Sequence, residues 1–195
     1  MRRVLPWIVV LLAASWVVPA CAQNETSPTV LLKTAETDRN SGTPAAELER
    51  RGDEARALKN LVGAANYYRE AIEKTRFRPQ KAALYNKLGI TALLLQRYPE
   101  AQKLFERAVG SDKKLAEAYN NLGASLYLQK KYGKAIGEYH RALKLSDESS
   151  FHSNLGAAYF MERKFGPATD EYRRAFELDP GIFDRTSQTG IAAQL

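Results

Sequence analysis

The stretch that decides the fold is YNNLGASLYLQKKYGKAIGEYHRALKLS, residues 119–146. Its Gly123 is followed by Ala135 after 12 residues, Tyr139 after 16 and Ala142 after 19. Three other glycines carry the same spacing. Gly52 leads to Ala64, Tyr68 and Ala71; Gly89 to Ala101, Phe105 and Ala108; Gly156 to Ala168, Tyr172 and Ala175. The glycines stand 37, 34 and 33 residues apart. Self-similarity at a period of this size predicts a stack of small repeated units rather than one globular core.

Each unit reads as two helices. Antiparallel helices approach closely only where side chains are small, so the glycine serves the first helix and the two alanines one face of the second. Nine residues after the glycine stands a ring, Tyr98, Tyr132 or Phe165, with Leu61 in the first unit. Four residues before it stands Leu48, Tyr85, Tyr119 or His152. These offsets put large and small residues on facing stripes at helical spacing.

This pattern resembles the tetratricopeptide repeat, a helix–turn–helix unit. FHSNLGAAYFMERKFGPATDEYRRAFELDP, residues 151–180, carries it through the closing Asp-Pro. The resemblance spans residues 45–182 and implies an all-α, right-handed superhelical solenoid of about four units, at 45–81, 82–115, 116–148 and 149–182. The first unit departs most: Arg51 replaces the leucine seen at Leu88, Leu122 and Leu155, and TRFRPQ, residues 75–80, holds three extra residues. Terminal repeats depart from pattern because one face meets water. Gly190 falls 34 residues after Gly156, so residues 183–195 read either as a capping helix or as a fifth unit cut short.

Arg2 and Arg3 precede an uncharged stretch with an apolar heart at residues 7–18, which predicts a bacterial export signal over residues 1–22. Two cleavage readings overlap. Ala20-Cys21-Ala22 fits cleavage before Gln23, and Val18-Pro19-Ala20-Cys21 looks like a lipobox, with a lipid on Cys21. An uncleaved anchor is the third reading. Cys21 is the single cysteine, so the mature chain forms no internal disulfide. Residues 23–44 have the polar composition of a flexible linker. The expected location is the periplasm or cell envelope, with a membrane tether through Cys21.

The formal net charge is +7, with the basic residues interleaved among Glu and Asp. Nucleic-acid binding asks for a clustered basic face with accessible rings; here the rings sit at packing positions, so no nucleic-acid partner is expected. No catalytic constellation emerges. His152 occupies a packing position and His140 lies on another helix, without metal-ligand spacing. There is no phosphate loop and no nucleophile elbow. The chain is read as a non-enzyme without cofactor or metal.

The resemblance places a concave groove along the first helices. Its candidate peptide-contacting residues are Asn86, Ile90, Leu93, Asn120, Asn121, Tyr127, Leu128, Asn154, Phe160 and Met161. The asparagines offer donors and acceptors to an extended peptide backbone. The apolar residues, with Leu94, predict an exposed strip. Glu49 and Asp53 at the first unit would repel a carboxylate terminus. The expected function is an exported, tethered scaffold that binds another protein or extended peptide. The alternative is a docking arm of a larger envelope enzyme, secretion or transport complex.

Overall fold

The computed structural model describes residues 43–183. Among them are eight helices and no strand: α1 (Ala45–Ala57), α2 (Leu61–Lys74), α3 (Arg78–Leu94), α4 (Tyr98–Ser111), α5 (Ala116–Leu128), α6 (Tyr132–Leu143), α7 (Ser149–Met161) and α8 (Phe165–Leu178). Packing is most extensive within the pairs α1–α2, α3–α4, α5–α6 and α7–α8. Each second helix then packs on the first helix of the next pair, and α3, α5 and α7 also touch in succession. This is the all-helical solenoid the spacing predicts.

The four headed glycines account for the pairing. A Cβ on Gly52 would lie 2.5 Å from the Tyr68 ring, on Gly89 2.5 Å from Phe105, on Gly123 2.6 Å from Tyr139 and on Gly156 2.9 Å from Tyr172. The ring sixteen residues on therefore fills the notch its own glycine leaves. Tyr68, Phe105 and Tyr139 are essentially inaccessible, as are the paired alanines from Ala64 to Ala175. Burying side chains of this size stabilises by roughly 1.5–3 kcal/mol each.

The turn inside every pair is built alike. Lys59, Gln96, Lys130 and Arg163, each seven residues after its glycine, adopt positive φ of 62, 59, 61 and 59°. The next residue's N–H reaches back five residues: Asn60 to Ala55, Arg97 to Ala92, Lys131 to Leu126 and Lys164 to Tyr159, at 2.8–2.9 Å. These are left-handed helix ends that satisfy carbonyls of the last turn. Asn60 adds a side-chain cap, accepting from the Gly63 N–H at 3.0 Å.

The extra residues after the first unit do not form a bulging loop. α3 starts at Arg78, with Pro79 in its first turn, and runs 17 residues against 13 for α1, α5 and α7. Proline is tolerated there because the first-turn N–H groups have no helical partner. The longer spacing is thus absorbed as an added helical turn. Arg51, in the leucine position, is half-buried and bonds Glu47 on the same helix at 2.9 Å.

Candidate functional site

The first helices α1, α3, α5 and α7 lie side by side, and a repeated polar contact sets their register. Lys87 on α3 reaches Glu49 on α1 at 2.7 Å. Asn121 Nδ2 on α5 donates to Asn86 Oδ1 on α3 at 3.0 Å. Asn154 Nδ2 on α7 donates to Asn120 Oδ1 on α5 at 2.9 Å. In all three the donor stands two before its glycine and the acceptor three before the preceding one. Asn120 Nδ2 joins the last two rungs by reaching Asn121 Oδ1 at 3.4 Å. A chain of amides therefore crosses three helices, with Asn120, Asn121 and Asn154 buried and Asn86 half-buried.

Lys87 is held from a second side by Asp53 at 2.7 Å, and Asp53 accepts from the Tyr68 hydroxyl at 2.7 Å. Burial pushes the Asp53 carboxyl up, but the bonds from Lys87 and Tyr68 outweigh it and hold it below the usual range. Burial likewise opposes the Lys87 charge, yet Asp53 and Glu49 raise its pKa overall. Lys87 thus bridges the two carboxylates at the acidic end of the inner face, and Arg56 adds a second cation 3.7 Å from Asp53. The sequence reading assigns Lys87 no partner. The signal was available: Lys87 lies 34 residues from Asp53, one repeat on, with opposite charge.

The ten groove candidates divide by environment. Ile90 and Leu93 are buried at 8% and 5% exposure and belong to the core. Asn120, Asn121 and Asn154 spend amide groups on each other, so a bound backbone meets them only through what the rungs leave over. Tyr127 and Leu128 are half-buried, with Tyr127 edge-on to Tyr132 at 5.3 Å. Phe160, Met161 and Leu94 are exposed, and Phe160 packs edge-on against Phe165 at 5.4 Å. The expected strip is therefore interrupted: Leu93 turns into the core where Tyr127 and Phe160 stay accessible. Leu93 is part of the buried core cluster, whereas Phe160 on α7 meets Phe165 and stays exposed.

On the opposite side, a cleft of about 440 Å³ opens between α2 and α4 over α3. Ile72, Leu88 and Leu104 form its floor, and Arg107 stands 5.8 Å from the Tyr85 ring centre. Arg69 and Glu100 bridge it at 3.4 Å.

Spacing alone gives His152 a packing position. It instead sits in a polar cluster, its ring nitrogens 2.7 Å from Asp147 and 2.6 Å from Glu171, with Arg174 2.6 Å from Asp147. The cluster ties α7 to α8 and to the preceding loop. His140 meets the Tyr159 hydroxyl at 2.9 Å. Among the described residues no group of three or more His, Cys, Asp or Glu is placed to hold a metal. No helix among them is long and apolar enough to cross a membrane. Cys21, the export signal, most of the linker and residues 184–195 lie outside the described residues.

A family model described as tetratricopeptide repeat matches residues 49–113 and again 86–150, together more than half of the chain. Small glutamine-rich tetratricopeptide repeat-containing protein 2 of Saccharomyces cerevisiae is 27% identical over 133 residues, 68% of this chain and 38% of its own length. Tetratricopeptide repeat domain-containing protein PYG7, chloroplastic, of Arabidopsis thaliana is 33% identical over 81 residues, 40% of this chain and 27% of its own. The chain thus spans well under half the length of these curated relatives. Among solved structures, a crystal structure of MamA superposes with TM-score 0.65 at 17% identity, covering 83% of this chain and 89% of that one. MamA 41-end from Desulfovibrio magneticus RS-1 gives 0.65 at 20% identity, covering 80% and 88%. At such identity the likeness shows the fold alone.

Proposed function

Because this chain belongs to the tetratricopeptide-repeat family, we propose that it works as a scaffold, holding a segment of another protein along the inner face of its first helices. The observation that carries this reading is the set of register rungs, Lys87–Glu49, Asn121–Asn86 and Asn154–Asn120. They fix the helices into one continuous face before any partner arrives, which lowers the ordering cost of binding. Tyr127, Leu128, Phe160 and Met161 supply apolar contact along it. Asn86, half-buried at the end of the amide chain, is the amide best placed to meet a partner's backbone.

The working location we propose is the cell envelope. The apolar segment at residues 7–18 exports the chain, Cys21 carries the lipid, and residues 23–44 hold the repeats off the membrane. A second reading, a docking arm within a larger assembly, is favoured by the fact that the curated relatives extend well beyond the matched region.

A photo-crosslinker at Tyr127, on the inner face, and another at Gly137, open on α6, test the binding face in native membranes. A discrete adduct from position 127 alone is expected; adducts from position 137 alone would sink the inner-face reading. Intact mass from the same membranes tests the tether. A mature chain starting at an acylated Cys21 is expected, and one starting at Gln23 removes it.

A further inference from the structure

One edge of the solenoid carries chemistry that protein binding in the groove does not use. The first helices run parallel in register, so their C-terminal ends and the four turns that follow all emerge along the same edge. Gln129 of the third turn bonds Gln102 Oε1 at 3.0 Å and the Tyr98 carbonyl at 3.5 Å, which holds neighbouring turns together. Along this edge Lys59, Arg97, Lys130, Lys131, Arg163 and Lys164 are exposed. Of these, Arg97 alone has a carboxylate within salt-bridge distance among the described residues, Glu100 at 3.7 Å. Large apolar side chains stand between them: Leu58 at 68% exposure, Val62 at 52%, Leu94 at 40% and Phe165 at 56%. The opposite edge mixes its charges. There Lys113 and Lys114 sit beside Asp112, and Lys144 near Asp147 and Glu148; Arg76, Phe77 and Arg78 repeat the basic–apolar combination once on that edge, and Glu100 and Glu162 are the acids of the turn edge.

We propose that the turn edge docks on an anionic lipid surface, its cations meeting phosphate headgroups while Leu58, Val62, Leu94 and Phe165 enter the headgroup–acyl boundary. Exposed apolar groups interleaved with lysine and arginine are the signature of interfacial attachment. Lysine and arginine stems lie along apolar surface while their heads stay in the phosphate layer. The edge is an outward rim, not a groove. A lipid surface fits a rim because it offers charge and hydrocarbon everywhere without register, whereas an acidic peptide would need a trough. The proposal requires no lipid on Cys21; a tether there would only raise the local concentration.

Hydrogen exchange of the full chain on vesicles tests it, because protection is read at the turns whether or not the N-terminal segment inserts. On phosphatidylcholine–phosphatidylglycerol vesicles, peptides covering residues 94–100, 127–134 and 160–167 slow by about threefold or more, while those covering 112–116 and 144–150 do not. On pure phosphatidylcholine the turn protection vanishes. Lys130→Glu with Lys131→Glu raises the lipid concentration needed for half of that protection about tenfold or more, and Arg163→Gln with Lys164→Gln serves as a milder second variant should charge reversal disturb folding. Absent turn protection, or equal protection on neutral lipid, overturns the proposal. Protection by polyglutamate without protection by vesicles also overturns it and assigns the edge to an acidic protein instead.

Discussion

Asn121 donates to Asn86 at 3.0 Å in the same relative position from which Lys87 reaches Glu49 at 2.7 Å. One structural slot thus holds an amide pair at one junction and an ion pair at another. The slot demands a donor two before each glycine and an acceptor three before the previous one; it is indifferent to charge. Removing the donor strands a partly buried acceptor. Asn121→Ala should therefore cost about 1–3 kcal/mol in urea unfolding. Combining it with Asn86→Ala should cost less than the sum of the two single changes, because the contact is lost only once. Additive losses would show that the pair does not interact in solution.

Gly89 and Gly137 look alike in sequence and should respond oppositely to alanine. A Cβ at Gly89 falls 2.5 Å from the fully buried Phe105 ring. The ring has nowhere to retreat, so Gly89→Ala should destabilise by about 1–3 kcal/mol through overpacking, despite its better helix propensity. Gly137, within α6, meets nothing within 4 Å, and Gly137→Ala should stabilise by about 0.5–1 kcal/mol. Denaturant midpoints for both variants check the contrast; a stable Gly89→Ala protein would remove close approach as the reason for the repeat glycine.

These two cases mark how far the sequence could be read. Gly89, Ala101, Phe105 and Ala108 recur at fixed offsets, so the helix pair and its stacking were visible as arithmetic. Asn120, Asn121 and Asn154 were visible as residues, but not as partners of one another. Their contacts join positions 34 or 35 apart, and only the packed register decides whether an amide faces a ligand or the next helix. The apolar strip failed at Leu93 for a related reason: the same offset is buried in the core at Leu93 and exposed at Phe160, which only the packed structure decides. His152 matched a packing position by spacing, while Asp147, Glu171 and Arg174, which surround it, come from a loop and another helix. The turns gave no glycine signal, since Lys59, Gln96, Lys130 and Arg163 take the left-handed position instead.

The Lys87–Asp53–Tyr68 contact predicts a pH window. Asp53 has its carboxyl held down, so its contribution is present above the unfolded value near ~3.9 and is lost as pH falls through the lower folded value. Lys87 has its pKa raised, so its contribution is present below ~10.4 and is lost as pH rises through the higher folded value. Asp53 is 39% exposed, and solvent screening keeps the pair's worth to about 1 kcal/mol or less. Asp53→Asn should melt below the parent chain at neutral pH and converge with it as the pH falls through the lowered folded value. A melting gap that persists unchanged at acid pH would mean that charge is not what Asp53 contributes.

Lys130 tests the turn that every pair shares. Its φ of 61° is one that a side chain disfavours, at a cost of about 1–3 kcal/mol for an ordinary residue. Glycine relieves that strain but gives the unfolded chain about 0.5–1 kcal/mol more conformational freedom. Strain relief wins this balance, because the Lys130 side chain is exposed and has no carboxylate within salt-bridge distance among the described residues. The backbone bonds from Lys130 to Tyr127 and from Lys131 to Leu126 need only N–H groups, which glycine keeps. Lys130→Gly should therefore raise stability by up to about 1 kcal/mol. Lys130→Val, β-branched at the same φ, should lower it by about 1 kcal/mol or more. Thermal melts of the two variants decide the matter: if both fall together, the lysine side chain stabilises the turn by a contact the strain account omits.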